Sequence, residues 1–154
     1  MQFEFLAGNM PAFVLLITLL GLLIGSFLNV VIYRLPVMMQ RDWRQQAREI
    51  LELPPANKQE TFNLVLPNSC CPHCQHQIKP WENIPVISYL FLRGKCSNCK
   101  APISLRYPLI ELACGLLSGY IAFRYGFGWQ AAGMLILTWG LLAMSMIDCD
   151  HQLL

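Results

Sequence analysis

Three apolar runs stand out along the chain, separated by one long polar segment and one short turn. The first extends from about Ala12 to Tyr33 and contains no charge. The second extends from about Tyr107 to Tyr125, with Glu111 inside it and Arg124 near its end. The third, from about Trp129 to Ile147, is again uncharged and is followed at once by Asp148 and Asp150. A helix needs about 20 mostly apolar residues to cross a hydrocarbon core of roughly 30 Å, so each run predicts a membrane-spanning helix. A cleaved signal peptide would have a basic start and an apolar run of only about 7–15 residues. Here Met1 to Met10 has no Lys or Arg and carries Glu4, and the run that follows is longer. A retained first helix is therefore expected.

The polar segment, Arg34 to Arg106, predicts its own substructure. Met39, Trp43, Ala47, Ile50 and Leu51 recur at helical spacing, with Arg41, Arg44, Arg48, Glu49 and Glu52 between them. That pattern fits an amphipathic helix on the membrane face or against the cysteine-rich part of the segment. It fits equally a solvated extension of the first span. Pro54-Pro55 should end it, and Ala56 to Asn68 reads as linker.

Composition agrees with a lipid environment. Of the 154 residues, 55% are hydrophobic and 13% charged, against about 25% charged in a soluble domain. The net charge of +2 is uninformative, but its distribution is not. Ten of the eleven Lys/Arg residues lie in the polar segment. Arg34, Arg41, Arg44 and Arg48 follow the first span, and Arg93, Lys95, Lys100 and Arg106 precede the second. Both groups fall within the roughly 15–20 flanking residues that set membrane orientation. The segment is expected in the cytoplasm, with the N-terminus and the Arg124–Gly128 turn outside.

Seven cysteines are an odd number, which argues against a fully paired disulfide framework. Four of them form Cys71-Pro72-His73-Cys74 and Cys96-Ser97-Asn98-Cys99, with 21 residues between the halves. Each Cys-x-x-Cys offers two thiolates from one tight turn, and two such turns complete a tetrahedron of sulfur, as in a structural zinc ribbon. A reducing cytoplasm favours metal over disulfide, and Lys95 and Lys100 favour the thiolate form. Four protein ligands leave no open position, so Cys71, Cys74, Cys96 and Cys99 are expected to hold a structural Zn2+ and not a catalytic one. Cys70, His73 and His76 are nearby competitors. Cys114 and Cys149 read as small apolar residues.

The acidic residues at the membrane carry the remaining chemistry. Glu111 lies about one turn inside the second run, where burying an ionised group costs up to ~2.5–3.5 kcal/mol. It either makes a contact inside the bundle or reaches back to the interface. Asp148 would sit at the cytoplasmic edge of the third run. A carboxylate there suits acid/base chemistry, although an acidic pair also simply stops a helix. An aspartic protease needs two such groups sharing a proton and a water, and one is visible.

Three stretches resemble the bacterial type IV prepilin leader peptidase/N-methyltransferases, over their N-terminal half. They are Gly25-Ser26-Phe27-Leu28-Asn29-Val30-Val31-Ile32-Tyr33-Arg34-Leu35-Pro36; the Cys71–Cys99 module with Pro80-Trp81-Glu82-Asn83-Ile84-Pro85 and Ser104-Leu105-Arg106-Tyr107-Pro108; and Ile147-Asp148-Cys149-Asp150-His151-Gln152-Leu153-Leu154. The resemblance implies an inner-membrane aspartic endopeptidase that removes the leader of prepilins and pseudopilins at the cytoplasmic face, for pilus biogenesis or type II secretion. It then methylates the new N-terminus with S-adenosyl-L-methionine. It also implies that Asp148 is the first catalytic aspartate, with Asp150 the alternative. The second, in a Gly-x-Gly-Asp motif, has no counterpart among these residues. Such proteins are about twice as long, so the sequence is expected to be incomplete and, alone, inactive as a peptidase. No residue is assigned to S-adenosyl-L-methionine.

The expected fold is thus an all-α polytopic membrane protein with three transmembrane helices and a small cytoplasmic zinc-ribbon-like insertion. Residues 1–35 hold the first transmembrane helix, 36–106 the loop with its zinc module at 70–100, and 107–154 the second and third transmembrane helices. The competing reading is a non-enzymatic membrane-anchored zinc module that recruits a cytoplasmic partner. Nucleic acid is not expected, because the basic residues flank the membrane and are interleaved with acids.

Overall fold

The computed structural model describes residues 8–54 and 61–152. Helix α1 spans Met10–Ile50, α2 is the short Ile87–Phe91, α3 is Arg106–Tyr125 and α4 is Trp129–His151; a 3-10 turn covers Pro80–Asn83. Among the described residues there is no strand, only the isolated bridges Cys70–Gln77 and Lys95–Pro102.

Helix α1 starts where the sequence supplies a cap. The Asn9 side chain accepts from the Ala12 amide at 3.3 Å, with Pro11 in the first turn. The helix then runs 41 residues without a break, through Pro36, which is fully buried. At 1.5 Å per residue it is about 60 Å long, twice a hydrocarbon core. The amphipathic stretch 39–50 is therefore an extension of α1 and not a separate surface helix. It ends at Ile50, four residues before the proline pair; Glu52 turns with a φ of 50°. The start of the expected linker is outside the described residues. Its remainder is ordered: Asn63 Oδ1 accepts from the Val65 and Leu66 amides at 2.8 and 2.7 Å. The buried Arg34 guanidinium donates to the Asn63 and Pro67 carbonyls at 2.9 and 2.6 Å.

Helices α3 and α4 form a hairpin closed by Gly126–Gly128, and α1 packs mainly along α3. The sequence makes that packing close. Gly21-x-x-x-Gly25 on α1 packs against Glu111, Cys114 and Ser118 of α3, and Gly115-x-x-x-Gly119 on α3 packs against Thr18 and Leu22 of α1. A Cβ on Gly25 would meet the Glu111 Cα at 2.8 Å and the Cys114 Cβ at 2.9 Å. A Cβ on Gly115 would meet Leu22 at 2.7 Å, and one on Gly119 would meet Thr18. Small residues at i and i+4 on both helices let the backbones approach, as in membrane bundles. The core is Leu28 and Ile32 of α1, Ile110 and Cys114 of α3, and Ala143 and Ile147 of α4. Trp139 Nε1 joins α4 to α3 by donating to Ser118 Oγ at 3.0 Å.

The outside of the bundle is apolar too: Leu15, Leu16, Leu19 and Leu23 of α1, Leu116 and Phe123 of α3, and Ile136 and Leu137 of α4 are exposed. Exposed apolar faces of this kind mark contact with lipid or another protein. By length and composition, α1 and α4 can cross a membrane. Helix α3, expected as a third span, falls short of that measure. Glu111, Arg124, Pro108, Ser118 and its glycines dilute its hydropathy, and it is the middle helix, with eight buried residues.

Candidate metal centre and its membrane flank

Two copies of one backbone turn build the cysteine cluster. In the first, the Cys71 amide donates to the His76 carbonyl, Gln75 to Cys71, and Ile78 to Ser69, at 2.8–2.9 Å. In the second, Cys96 donates to Ala101, Lys100 to Cys96, and Ile103 to Gly94, at 2.7–3.1 Å. Each position has its counterpart, including the positive φ at Gln75 (58°) and Lys100 (60°) that turns the chain back after the second cysteine. The turn aims the amides of residues just beyond each pair at its sulfurs, which stabilises thiolates.

The four sulfurs converge. Cys71 Sγ lies 3.8 Å from Cys99 Sγ and Cys74 Sγ lies 4.0 Å from Cys96 Sγ. All four lie within 4.8 Å of one another. Zinc–sulfur bonds of ~2.3 Å in a tetrahedron put sulfurs about 3.8 Å apart, so the donor set fits that ion with little adjustment. The thiols hold their protons unequally. The His76 amide, with smaller help from Asn98 and the neighbouring thiols, lowers Cys74 to about 6. Cys96 is lowered by the amides of Cys99 and Asn98. Cys99 receives the Ala101 amide, yet desolvation and the three other thiols push it up to about 11.

The competitors stay outside. Cys70 Sγ contacts Gln75 Oε1 at 3.3 Å. His76 Nε2 faces Glu82 at 3.5 Å. Glu82 also accepts the Lys79 amide at 3.0 Å and is hydrogen-bonded by Ser97 of the second turn, so its carboxyl stays below the usual range. It braces one knuckle against the other.

The module is tied to the bundle by a contact the sequence left undecided. Glu111 is 8% exposed and faces inward. Its carboxylate accepts the Val86 amide at 2.7 Å, and the Ser26 hydroxyl also hydrogen-bonds it. Val86 sits at φ 59°, a costly conformation for a β-branched residue. The closeness of α1 at Gly25 and Ser26 and the turn at Val86 both converge on this one carboxylate. Of the two readings of Glu111, the bundle contact is the one observed.

Asp148 lies half-buried in the last turns of α4, three residues before the helix ends. Asp150 is exposed and held by Arg106, the first residue of α3: Nη1 donates to Oδ1 at 2.6 Å, and Nη2 lies 2.5 Å from Oδ2. Arg106 Nη2 also reaches the Met146 carbonyl at 3.5 Å. Asn29 of α1 donates to the Tyr107 carbonyl at 3.1 Å. The end of α4, the start of α3 and the Asn29–Arg34 part of α1 therefore share one end of the bundle with the cysteine module. The cysteines form a metal-type cluster by themselves, and Asp148 is separate from it.

Residues 19–125 match the family model described as the bacterial peptidase A24 N-terminal domain. The chain is 72% identical over 151 residues to the prepilin leader peptidase/N-methyltransferase of Stutzerimonas stutzeri, covering 98% of this chain and 52% of that protein. It is 66% identical over 151 residues to the protein so named in Pseudomonas aeruginosa, with the same coverage. It is 54% identical over 145 residues to that of Neisseria gonorrhoeae, covering 94% of this chain and 51% of that protein. The chain spans about half the length of the curated relatives it matches. No solved structure matches it.

Proposed function

Because the chain belongs to the bacterial peptidase A24 family, matched through that family's N-terminal domain, we propose that it supplies Asp148 and a structural zinc module to a prepilin leader peptidase/N-methyltransferase. The observation that carries this reading is 72% identity across 98% of the chain with a protein of that name. The activity belongs to a protein about twice this length.

In this reading the protein is an aspartic endopeptidase of the inner membrane, working in pilus biogenesis or type II secretion. All three long helices cross the bilayer, α3 packed against both α1 and α4. The N-terminus and the Gly126–Gly128 turn are periplasmic and the cysteine module is cytoplasmic. Exposed Tyr125, Phe127 and Trp129 at the turn suit an interfacial aromatic belt. The Lys/Arg-rich module end suits the cytoplasmic side.

Asp148 is one of the two carboxylates that activate the hydrolytic water, and the second comes from a Gly-x-Gly-Asp motif that these residues lack. Arg106 engages both oxygens of Asp150, which suits Asp150 to a structural role. The substrates are prepilins and pseudopilins, cut at the cytoplasmic membrane face, where Asp148 shares the end of the bundle with the module. The zinc ion, held by Cys71, Cys74, Cys96 and Cys99, is structural. S-adenosyl-L-methionine supplies the methyl group for the new N-terminus.

The test is cleavage of a prepilin by the whole protein carrying Asp148→Asn. Loss of cleavage, with the protein still in the membrane and zinc retained, is expected. Normal processing would remove Asp148 from the role.

A further inference from the structure

A cavity of ≈ 340 Å³ lies between α1 and the cysteine module, outside both the metal cluster and the Asp148 turn. Phe27, Val30 and Arg34 form its α1 wall, and Ile78, Lys79 and Asn83 face them from the module. The first three are spaced i, i+3 and i+7, one face of a helix. The wall therefore grades from an exposed phenylalanine on the apolar part of α1 to a cation at its polar end.

Among the described residues the charge here is unbalanced. Arg34 is 6% exposed; it donates to two neutral carbonyls, of Asn63 and Pro67, and lies over the Phe62 ring at 5.6 Å. Among the described residues no carboxylate pairs with it. A cation buried without an anion beside it is costly, and the described residues supply none. The lining adds a second cation, Lys79, and the amides of Asn68 and Asn83, and contains no acid. The site asks for an anion. Its apolar wall, continuous with the exposed leucines of α1, asks for that anion to carry a hydrocarbon chain.

We infer that this cavity binds the phosphate headgroup of an acidic membrane phospholipid, with Arg34 and Lys79 on the phosphate and an acyl chain along Phe27 and Val30. Basic pockets between a spanning helix and its cytoplasmic flank take such headgroups. The absence of an acid among the described lining residues disfavours a cationic ligand. The inference rests on α1 being embedded in the bilayer; it is independent of the role of Asp148.

Native mass spectrometry of the full chain, released from detergent with titrated phosphatidylglycerol or phosphatidylcholine, tests it. The unsubstituted chain should retain one phosphatidylglycerol in preference to phosphatidylcholine. Lys79→Gln should weaken that retention about fivefold, the contribution of one cation near a membrane surface, while Arg124→Gln at the other bundle end leaves it unchanged. Arg34 also holds the 63–67 turn, so the exposed Lys79 is the decisive position and Arg34→Lys, which keeps the charge, the second variant; it should retain the preference for phosphatidylglycerol. Equal retention of both lipids, or an undiminished preference in Lys79→Gln, would overturn the proposal. So would displacement of the lipid by millimolar inorganic phosphate, which would assign the site to a free anion. Lipid selectivity that persists when Asp148→Asn leaves cleavage intact would sink the peptidase reading alone; loss of selectivity with cleavage dependent on Asp148 would sink this one alone.

Discussion

Arg106, the first residue of α3, grips the carboxylate of Asp150, near the end of α4, with both terminal nitrogens, at 2.6 and 2.5 Å. The pair fastens the two ends of the hairpin and fixes the helical turn that carries Asp148. The pair also shifts both groups the way such a contact should: hydrogen bonding to a carboxylate favours its charged form. Its side chains are about a third exposed, so solvent screening limits its worth. Arg106→Gln should cost about 1 kcal/mol at most, read as a small drop in thermal midpoint in detergent. Peptide cleavage by the whole protein should fall only modestly, as in Asp150→Asn, which breaks the same pair. Unchanged cleavage would show that the turn holds without the pair.

Glu111 should matter more for stability than its place in an apolar run implies. In Glu111→Ala the Val86 amide loses its acceptor in a partly buried setting, a loss of about 1 kcal/mol. Proteolysis should then cut the Pro80–Arg93 region faster while the α3–α4 hairpin persists. Protection equal to the unsubstituted protein would mean that the carboxylate does not tether the module.

Gly25, like Gly21, should resist replacement. Gly25→Ala places a methyl against the Glu111 backbone at 2.8 Å, which neither helix can relieve by a rotamer change; overpacking of this kind costs about 1–3 kcal/mol. Gly133→Ala on α4 meets nothing within 4 Å and should be neutral or stabilising by up to about 1 kcal/mol. Thermal unfolding of the two variants side by side checks the contrast, and a destabilised Gly133→Ala with an unaffected Gly25→Ala would refute the α1–α3 contact.

The module should bind one zinc per chain, and Cys71→Ser with Cys74→Ser should abolish it. Binding requires four thiolates, so protons held by the free site must leave. Cys99, pushed up to about 11, is protonated at neutral pH; Cys74, lowered to about 6, is largely ionised there. Zinc affinity should therefore rise as pH rises from 6 toward 11, as Cys99 gives up its proton more readily. It should fall more steeply below 6, where Cys74 must also be deprotonated. Competition with a chromophoric chelator across that range measures this, and a flat profile would contradict the ligand set.

Much of this was legible before the fold was known, for definite reasons. Two Cys-x-x-Cys turns announce themselves because metal chemistry fixes both residue type and spacing. The apolar runs of α1 and α4 announce themselves because a bilayer demands length. What stayed hidden depends on residues far apart in the chain. The Glu111–Val86 contact joins a helix to a loop across 25 positions, and Arg34 reaches carbonyls, which leave no signature in side chains. The knuckle repeat was invisible because equivalent positions share backbone geometry while differing in type, as Gln75 and Lys100 do. Gly21-x-x-x-Gly25 and Gly115-x-x-x-Gly119 are written plainly, but only the pairing of the helices reveals that each packs closely against the other helix. The extension of α1 past Pro36 was one of two readings, and periodicity alone could not separate them.

The most direct measurement is prepilin cleavage by the whole protein in membranes, comparing Asp148→Asn with Asp150→Asn at equal protein and zinc content. Asp148→Asn should lower the rate by at least about a hundredfold, the contribution of a positioned acid or base, whereas Asp150→Asn should retain substantial cleavage. Normal cleavage by Asp148→Asn, or loss confined to Asp150→Asn, would contradict the assignment of Asp148 as the catalytic carboxylate.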